Sequence, residues 1–309
     1  MSRKRIAFTL IELLVVIAII GILSGLIVVT MNGVTQKATI AKAQVFSNSL
    51  RNALMLNLVS EWKFDELASA SNGTVIADSW NGKTGTLVTD NGAAEKISSD
   101  CLNGKCISLD GSGDYVNAGS NLDIGLNSFT WSFWAKTAFS SPQIAIHRQA
   151  SSMTGWNGYF YLPQASNANG LFWVTSSSYS GGSIYRYINP QTNNSNIIDN
   201  RWHHFVGVCD RSQHKAPDVY LDGVLANSGS GGYCDNLTDN VPLGNLYIGS
   251  SIGGVNFNGS IDEVRFYNSA IPSSQIKEQY YAGLNNLLIN GNISIEEYLS
   301  RIKQTAYGK

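Results

Sequence analysis

Hydrophobic and polar positions change period twice along this chain, separating three kinds of element. Leu13 to Met31 is an apolar stretch about long enough to cross a bilayer as a helix. Beyond it Ala38, Ala41, Val45, Phe46, Leu50, Ala53, Leu54 and Leu58 recur at helical spacing, with Lys37, Lys42, Asn48 and Arg51 between them. One helix is therefore predicted from Phe8 to about Leu58, roughly 75 Å long. Its outer part needs a partner for its apolar stripe. From Ser60 the pattern shortens to alternating runs punctuated by Gly, Asn, Asp and Ser. Strands are predicted at Cys106–Leu109, Asp114–Asn117, Phe129–Lys136, His203–Cys209, Val219–Leu221, Leu246–Ile248 and Val264–Tyr267. Many short strands joined by polar turns, with no helices alternating between them, indicate an antiparallel β-sandwich or jelly roll. After Ile271 the helical period returns. Gln275–Ala282 reads as a helix stopping at Gly283, and Asn290-Gly291 ends a second short element. Ser294 and Glu297 have the spacing of a capping box, in which each satisfies the other's free backbone donor; it opens a final amphipathic helix to about Gln304. The predicted organisation is a short basic segment, 1–7; a long helix with an apolar run of membrane-spanning length, 8–59; a mainly β sandwich, 60–281; and a short helical tail, 282–309.

Composition narrows the function classes. The 309 residues carry 21 basic and 22 acidic side chains. Without Arg3, Lys4 and Arg5 of the basic segment the balance is 18 against 22, which offers no footprint for nucleic acid. Charged residues are only 14%, so the surface is neutral and rich in hydroxyls and amides, as in an exported β-protein. Cys101 and Cys106 flank Leu-Asn-Gly-Lys, a tight-turn signal across which a bridge is plausible. Cys209 and Cys234 would then pair, given an oxidising compartment, although sequence alone leaves the connectivity open.

Candidate catalytic strings do not hold together. No Glu-x-Asp-x-x-Glu run places two carboxylates on one face of a strand; Asp262-Glu263 is an adjacent pair, expected to point to opposite faces. Gly249-Ser250-Ser251-Ile252-Gly253 matches the Gly-x-Ser-x-Gly string, but a Gly-rich turn follows where a nucleophile elbow needs a helix. The chain is read as no enzyme. For ligand binding the cue is aromatic faces. Trp134 shares the more polar face of its strand with Thr130, Ser132 and Lys136, where it would line a groove, and Trp156, Tyr179, Tyr185 and Tyr233 fall in loop-like Gly/Ser-rich surroundings.

Two resemblances organise these readings. The basic leader, Phe8-Thr9-Leu10-Ile11-Glu12 and the apolar run closely resemble the N-terminus of type IV prepilins and pseudopilins. That implies cleavage between Ala7 and Phe8 by a prepilin peptidase and methylation of the new Phe8 amine; the family usually has glycine where Ala7 stands. It also implies pairing of Glu12 with the amine of a neighbouring subunit, the physical answer to the cost of burying a carboxylate. The chain would sit in the cytoplasmic membrane with a single span, then pass into a pilus with its C-terminal domain outside.

Residues 59–281 are similar to LamG-like, concanavalin A-like jelly rolls. The match rests on Glu61-Trp62-Lys63-Phe64-Asp65-Glu66, Asp78-Ser79-Trp80-Asn81-Gly82, Leu109 to Val116, Phe129 to Trp134, Trp202-His203-His204, Tyr220-Leu221-Asp222-Gly223 and Phe257 to Arg265. This family often holds a structural calcium, which implies a ligand set of Asp78, Asn81, Thr84 and Asp262; the alternative is that Asp78 and Asn81 cap turns. The expected function is a filament subunit displaying a domain that adheres to an extracellular glycan or protein. The alternatives are a pseudopilin of a type II secretion or DNA-uptake machine, and a membrane-tethered lectin that does not polymerise.

Overall fold

The computed structural model describes residues 10–11, 13–20, 57–67, 71–90, 100–120, 122, 127–149, 156–162, 170–176, 184–188, 196–237, 244–251 and 254–307. Residues 1–48 and 49–309 separate as two units. In the first, residues 10–11 and 13–20 are helical with exposed apolar side chains, among them Leu13, Ile17 and Ile20. Ala7, Phe8, Glu12 and the rest of the predicted long helix up to residue 56 lie outside the described residues. Among the described residues no helix is long and apolar enough to cross a membrane; the predicted span, Leu13 to Met31, is described only as far as Ile20.

The second unit is a sandwich of two antiparallel sheets. The smaller sheet runs β1 (Leu58–Trp62), β16 (Asn258–Tyr267), β6 (Phe129–Lys136), β11 (His203–Cys209), β12 (Asp218–Leu221), β13 (Val224–Leu225), with β4 (Ile107–Asp110) beside the first half of β16. The larger sheet runs β14 (Asn227–Gly231), β10 (Ile184–Ile188), β9 (Gly170–Ser176), β8 (Trp156–Tyr161), β7 (Ile144–Arg148), β15 (Leu246–Ile248), β5 (Tyr115–Asn117), β3 (Thr84–Val88), β2 (Val75–Ala77). Strands β6, β11 and β15 coincide with the sequence reading. Leu58 and Val59 leave the predicted helix to join β1, because pairing Glu61 with Arg265 and Trp62 with Val264 carries the chain onto β16. Both predicted disulfides form, Cys101–Cys106 and Cys209–Cys234.

The core lies between the sheets and is largely aromatic. Phe133 of β6 meets Phe160 of β8 with ring centroids 4.9 Å apart, and Trp131 meets Phe172 of β9 at 5.6 Å and Phe266 of β16 at 5.5 Å. These edge-to-face contacts add to the burial of large apolar area. Gly207 makes room for them, since a Cβ there would stand 2.7 Å from the Phe172 ring.

The outer face of the smaller sheet is covered as well. Helix α1 (Ser273–Ile289) lies over it, placing Tyr280, Leu284 and Leu287 against Trp134, and Ile276 among Val206, Val208 and Tyr267. The predicted stop at Gly283 is not a stop. A Cβ at this position would fall 2.1 Å from Trp134 Cζ2, so glycine is required by close approach of the helix to the indole while the helix continues to Ile289. Ser132 Oγ donates to Gln279 of α1, and Gln279 Nε2 donates to the Tyr267 hydroxyl, so Ser132 of β6 finds its partner in the helix.

Helix α2 (Ile295–Tyr307) is tied to the sheet by ions. Ser294 Oγ accepts the Glu297 N–H at 3.2 Å, as the capping box predicts, but the Glu297 carboxylate accepts from Arg301 Nη2 at 2.8 Å. Arg301 Nη1 also donates to the Trp202 carbonyl at 2.8 Å. Beside it His203 stands between Asp222 (2.7 Å) and Asp199 (3.2 Å). Burial alone would push this imidazole down, but the two carboxylates outweigh it and raise it to about 9. The sign follows: a raised folded value stabilises fully below the unfolded value of 6.5 and is lost as pH climbs through about 9. Thermal melts between those limits will therefore show stability falling by up to about 3 kcal/mol, and His203→Gln will flatten that decline.

Candidate functional site

With the smaller sheet covered by helices, the outward positions of the larger sheet become the place to look. Antiparallel register aligns residues from nine strands in one transverse row. Val75 pairs with Thr86, Thr86 with Asn117, Asn117 with Tyr247, and Tyr247 with His147. His147 pairs with Tyr159, Tyr159 with Trp173, Trp173 with Tyr185, and Tyr185 with Gly231. Directly opposed residues share a face, and Phe160, Phe172 and Ile184 are core residues, so alternation turns Tyr159 and Tyr185 outward. From Tyr247 to Tyr185 the row crosses five strands, about 19 Å at the usual strand spacing. A neighbouring row adds Tyr161 and Tyr187 across Leu171.

The described rings of these rows contact one another in two groups. His147 stacks on Tyr159 at 4.3 Å with the planes 11° apart, and Tyr247 lies 5.8 Å from both His147 and Tyr115. Tyr159 and Tyr161 are 5.8 Å apart, Tyr185 and Tyr187 5.3 Å. Tyr115, Tyr159, Tyr161, Tyr185 and Tyr187 are half-buried, while Tyr247 and His147 form the floor, 6% and 3% exposed. Asn245 Nδ2 donates to the Tyr247 hydroxyl at 3.1 Å and fixes that ring. Burial pushes the Tyr159 and Tyr161 phenols up, so both stay protonated donors, and it pushes His147 down to about 4, so the imidazole is neutral at pH 7. Flat apolar rings edged with hydroxyls suit a ligand that is apolar on its faces and polar at its rim.

The predicted ligand residues divide on this map. Trp134 lines no groove: it is 1% exposed under α1, packed on both His204 (5.1 Å) and Tyr280 (5.7 Å), which are themselves 6.4 Å apart. The polar residues of that face are used internally: Ser132 bonds Gln279 of α1, Thr130 the Ser269 carbonyl and Lys136 the Asp100 carboxylate. Tyr185 is no loop residue but a member of β10 and of the row, and Trp156 opens β8 opposite Ser176. Tyr179 lies outside the described residues. Tyr233 is 43% exposed and packs on His214 at 3.8 Å, two residues beyond the edge strand β14. Sequence reasoning missed Tyr115, His147, Tyr159, Tyr161, Tyr187 and Tyr247. The usable signal was period-2 alternation in Tyr159-Phe160-Tyr161 and in Ile184-Tyr185-Arg186-Tyr187-Ile188.

The predicted calcium ligands serve other partners. Asp78 Oδ1 accepts the backbone N–H groups of Glu61 (3.0 Å), Trp80 (2.9 Å) and Asn81 (3.2 Å). Asn81 accepts from Lys83 N–H and donates to the Val59 carbonyl, and Thr84 begins β3 opposite Ala77. Asp262 accepts from the Leu102 and Asn103 N–H groups of the Cys101–Cys106 loop, and burial together with Glu263 raises its carboxyl well above the usual range. Asp78 Oδ2 is buried and without a hydrogen-bond partner. Asp78 and Asn81 cap their turn, the second of the two roles expected of them. Among the described residues, no cluster of three His, Cys, Asp or Glu that could hold a metal occurs.

The remaining polar candidates are structural too. His204, pushed down to about 3 by burial, is neutral and 2.9 Å from Ser132. Ser250 directs its hydroxyl at Asn256 Oδ1, 2.6 Å away, with a turn after it. Glu263, at φ +50°, sits where β16 shifts register between Asp262 and Arg265, a bulge that aims Asp262 at the disulfide loop and Glu263 at Arg265.

Comparison with known proteins agrees with the fold. A family model described as the concanavalin A-like lectin/glucanases superfamily matches residues 110–277, and one described as the prokaryotic N-terminal methylation motif matches residues 2–28. Among curated proteins no relative matches. Of solved structures, domain 4 of the extracellular arabinanase AbnA from Geobacillus stearothermophilus, in complex with arabinotriose, is 20% identical with a TM-score of 0.51; the alignment covers 72% of this chain and 97% of that one. The binding domain of Paraclostridial Mosquitocidal Protein 1 is 16% identical with a TM-score of 0.54, over 75% of this chain and 53% of that one. Trypanosoma rangeli sialidase is 14% identical with a TM-score of 0.51, over 73% of this chain but only 33% of its own. At these identities the likeness is one of fold.

Proposed function

Given that this chain belongs to the concanavalin A-like lectin/glucanases superfamily, we propose that it is a type IV pilin-like subunit whose sandwich binds glycans at the cell surface. The observation that carries the binding half is the aromatic row across the larger sheet, from Tyr247 through His147 and Tyr159 to Tyr185. Each pyranose or furanose ring has apolar C–H faces that pack on aromatic rings and hydroxyls that meet the phenolic rim. The arabinotriose complex of the similar arabinanase domain supports a saccharide as ligand. The methylation motif supports the export half: cleavage after Ala7 by a prepilin peptidase, a methylated Phe8, retention in the cytoplasmic membrane and assembly with other subunits through Glu12. Neither catalysis nor calcium enters this reading.

A glycan array probed with the full chain in detergent tests it. Binding is expected, and Tyr185→Ala combined with Tyr187→Ala is expected to weaken it at least tenfold, about 1.4 kcal/mol, with the fold intact by circular dichroism. Silence across the array would overturn the lectin reading in favour of a sandwich that contacts protein partners in a secretion or DNA-uptake machine.

A further inference from the structure

The row is built without charge. Strands β2, β3, β5, β8, β9, β14 and β15 contain no Asp, Glu, Lys or Arg. The two cations of the sheet stand at inward positions: Arg148 opposite Leu246, a core residue, and Arg186 opposite Phe172, with its Nε donating to the Pro217 carbonyl. A carboxylate-bearing sugar laid on the described part of this face would therefore lose its hydration and meet no cation in return, a cost uncharged hydroxyls do not incur.

One polar group sits in the middle of the row. His147 is 3% exposed, and neither Nδ1 nor Nε2 has a hydrogen-bond partner. Leaving two polar nitrogens buried and unmatched is costly, and a neutral imidazole carries one donor and one acceptor. Hydroxyls on two neighbouring residues of an oligosaccharide, one at each end of the imidazole, supply the complementary acceptor and donor. The rings packed on the imidazole, Tyr159 and Tyr247, are themselves members of the row, so a ligand that shifts them reaches it.

We infer that the face takes a neutral saccharide and that His147 is its specificity-determining contact, bonding two sugar hydroxyls through its two ring nitrogens. The inference rests on the glycan-binding reading above. Its neutral state is supported by the lowering of His147 to about 4 through burial.

Calorimetric titration of the full chain tests it with neutral tetrasaccharides of arabinose, xylose, glucose and mannose, against tetragalacturonate and sialyllactose. Binding to at least one neutral sugar is expected, with an affinity insensitive to salt and no binding of the acidic pair. His147→Phe keeps the stacking and loses both hydrogen bonds, and is expected to weaken the neutral ligand at least about fivefold. Preference for an acidic sugar, or affinity that falls with added salt, overturns the neutral class irrespective of whether the variant folds. Unchanged affinity in His147→Phe, with the combined Tyr185→Ala and Tyr187→Ala variant still disruptive, overturns the role of His147 alone and leaves the lectin reading standing. Binding of neither class by the wild-type chain overturns both.

Discussion

Arg265→Met will destabilise the sandwich by about 3–5 kcal/mol, measured by urea unfolding of the full chain. Arg265 donates its Nε to Glu61 at 2.9 Å and an Nη to Glu263, and both carboxylates are 95% buried. Burial pushes the Glu61 carboxyl up, and Arg265 with Lys63 more than reverses it, leaving the group below its ordinary value. Methionine fills the volume and supplies no charge, so two buried carboxylates lose their shared cation. The lower figure is the nearer one, because Arg265 keeps a fifth of its side chain exposed. The loss is greatest at neutral pH and smaller in acid: with Arg265 gone, burial of Glu61 is opposed only by Lys63 and Ser79, so the carboxyl takes a proton more readily. An equal loss at every pH would mean that the effect is packing and not charge.

Replacing Cys209 and Cys234 by alanine together gives the second large effect. The bridge closes a loop of sequence separation 25, for which chain entropy predicts a loss of about 3.5 kcal/mol, whereas the Cys101–Cys106 bridge, at separation 5, predicts about 2 kcal/mol. Both Cys209 and Cys234 are fully buried in the core beside Leu237, so the alanine pair also leaves a small cavity and the entropic figure is a floor. A melting temperature roughly 7–14 °C lower follows for a unit of this size. A drop no larger than that of the Cys101/Cys106 double variant would sink the loop-length account. That shorter bridge holds the turn whose N–H groups bind Asp262, so its removal should free a buried carboxyl more than it loosens the chain.

Local patterns were legible wherever a strand or turn announces itself in its own residues. Phe129–Lys136 alternates aromatic with polar residues and was readable to the residue, as was His203–Cys209. The Asn103-Gly104 turn pointed to the short disulfide. The helix at 273–289 was readable at its start and misread at Gly283, because a glycine placed for contact with an indole looks the same in sequence as one that ends a helix. Trp134 failed for a related reason. Alternation tells which face a residue occupies; it does not tell what covers that face. Here α1, more than a hundred residues downstream in the chain, covers it.

The site was the least legible part. Its residues come from strands β5, β7, β8, β10 and β15, each contributing one or two rings, and no stretch of sequence holds more than two of them close together. Tyr185 was singled out and is in the row, but as a strand residue facing outward.

What the amino-acid sequence determined by itself was the class of each segment: the methylation motif at 2–28, because its leader charges, phenylalanine, glutamate and apolar run are contiguous, and the β-sandwich, because period and turn chemistry are local. What only the tertiary structure decided was which face is covered and which is left open, because that depends on strand register and on where the C-terminal helices dock. Those are contacts between residues far apart in the chain, and neither period nor composition records them.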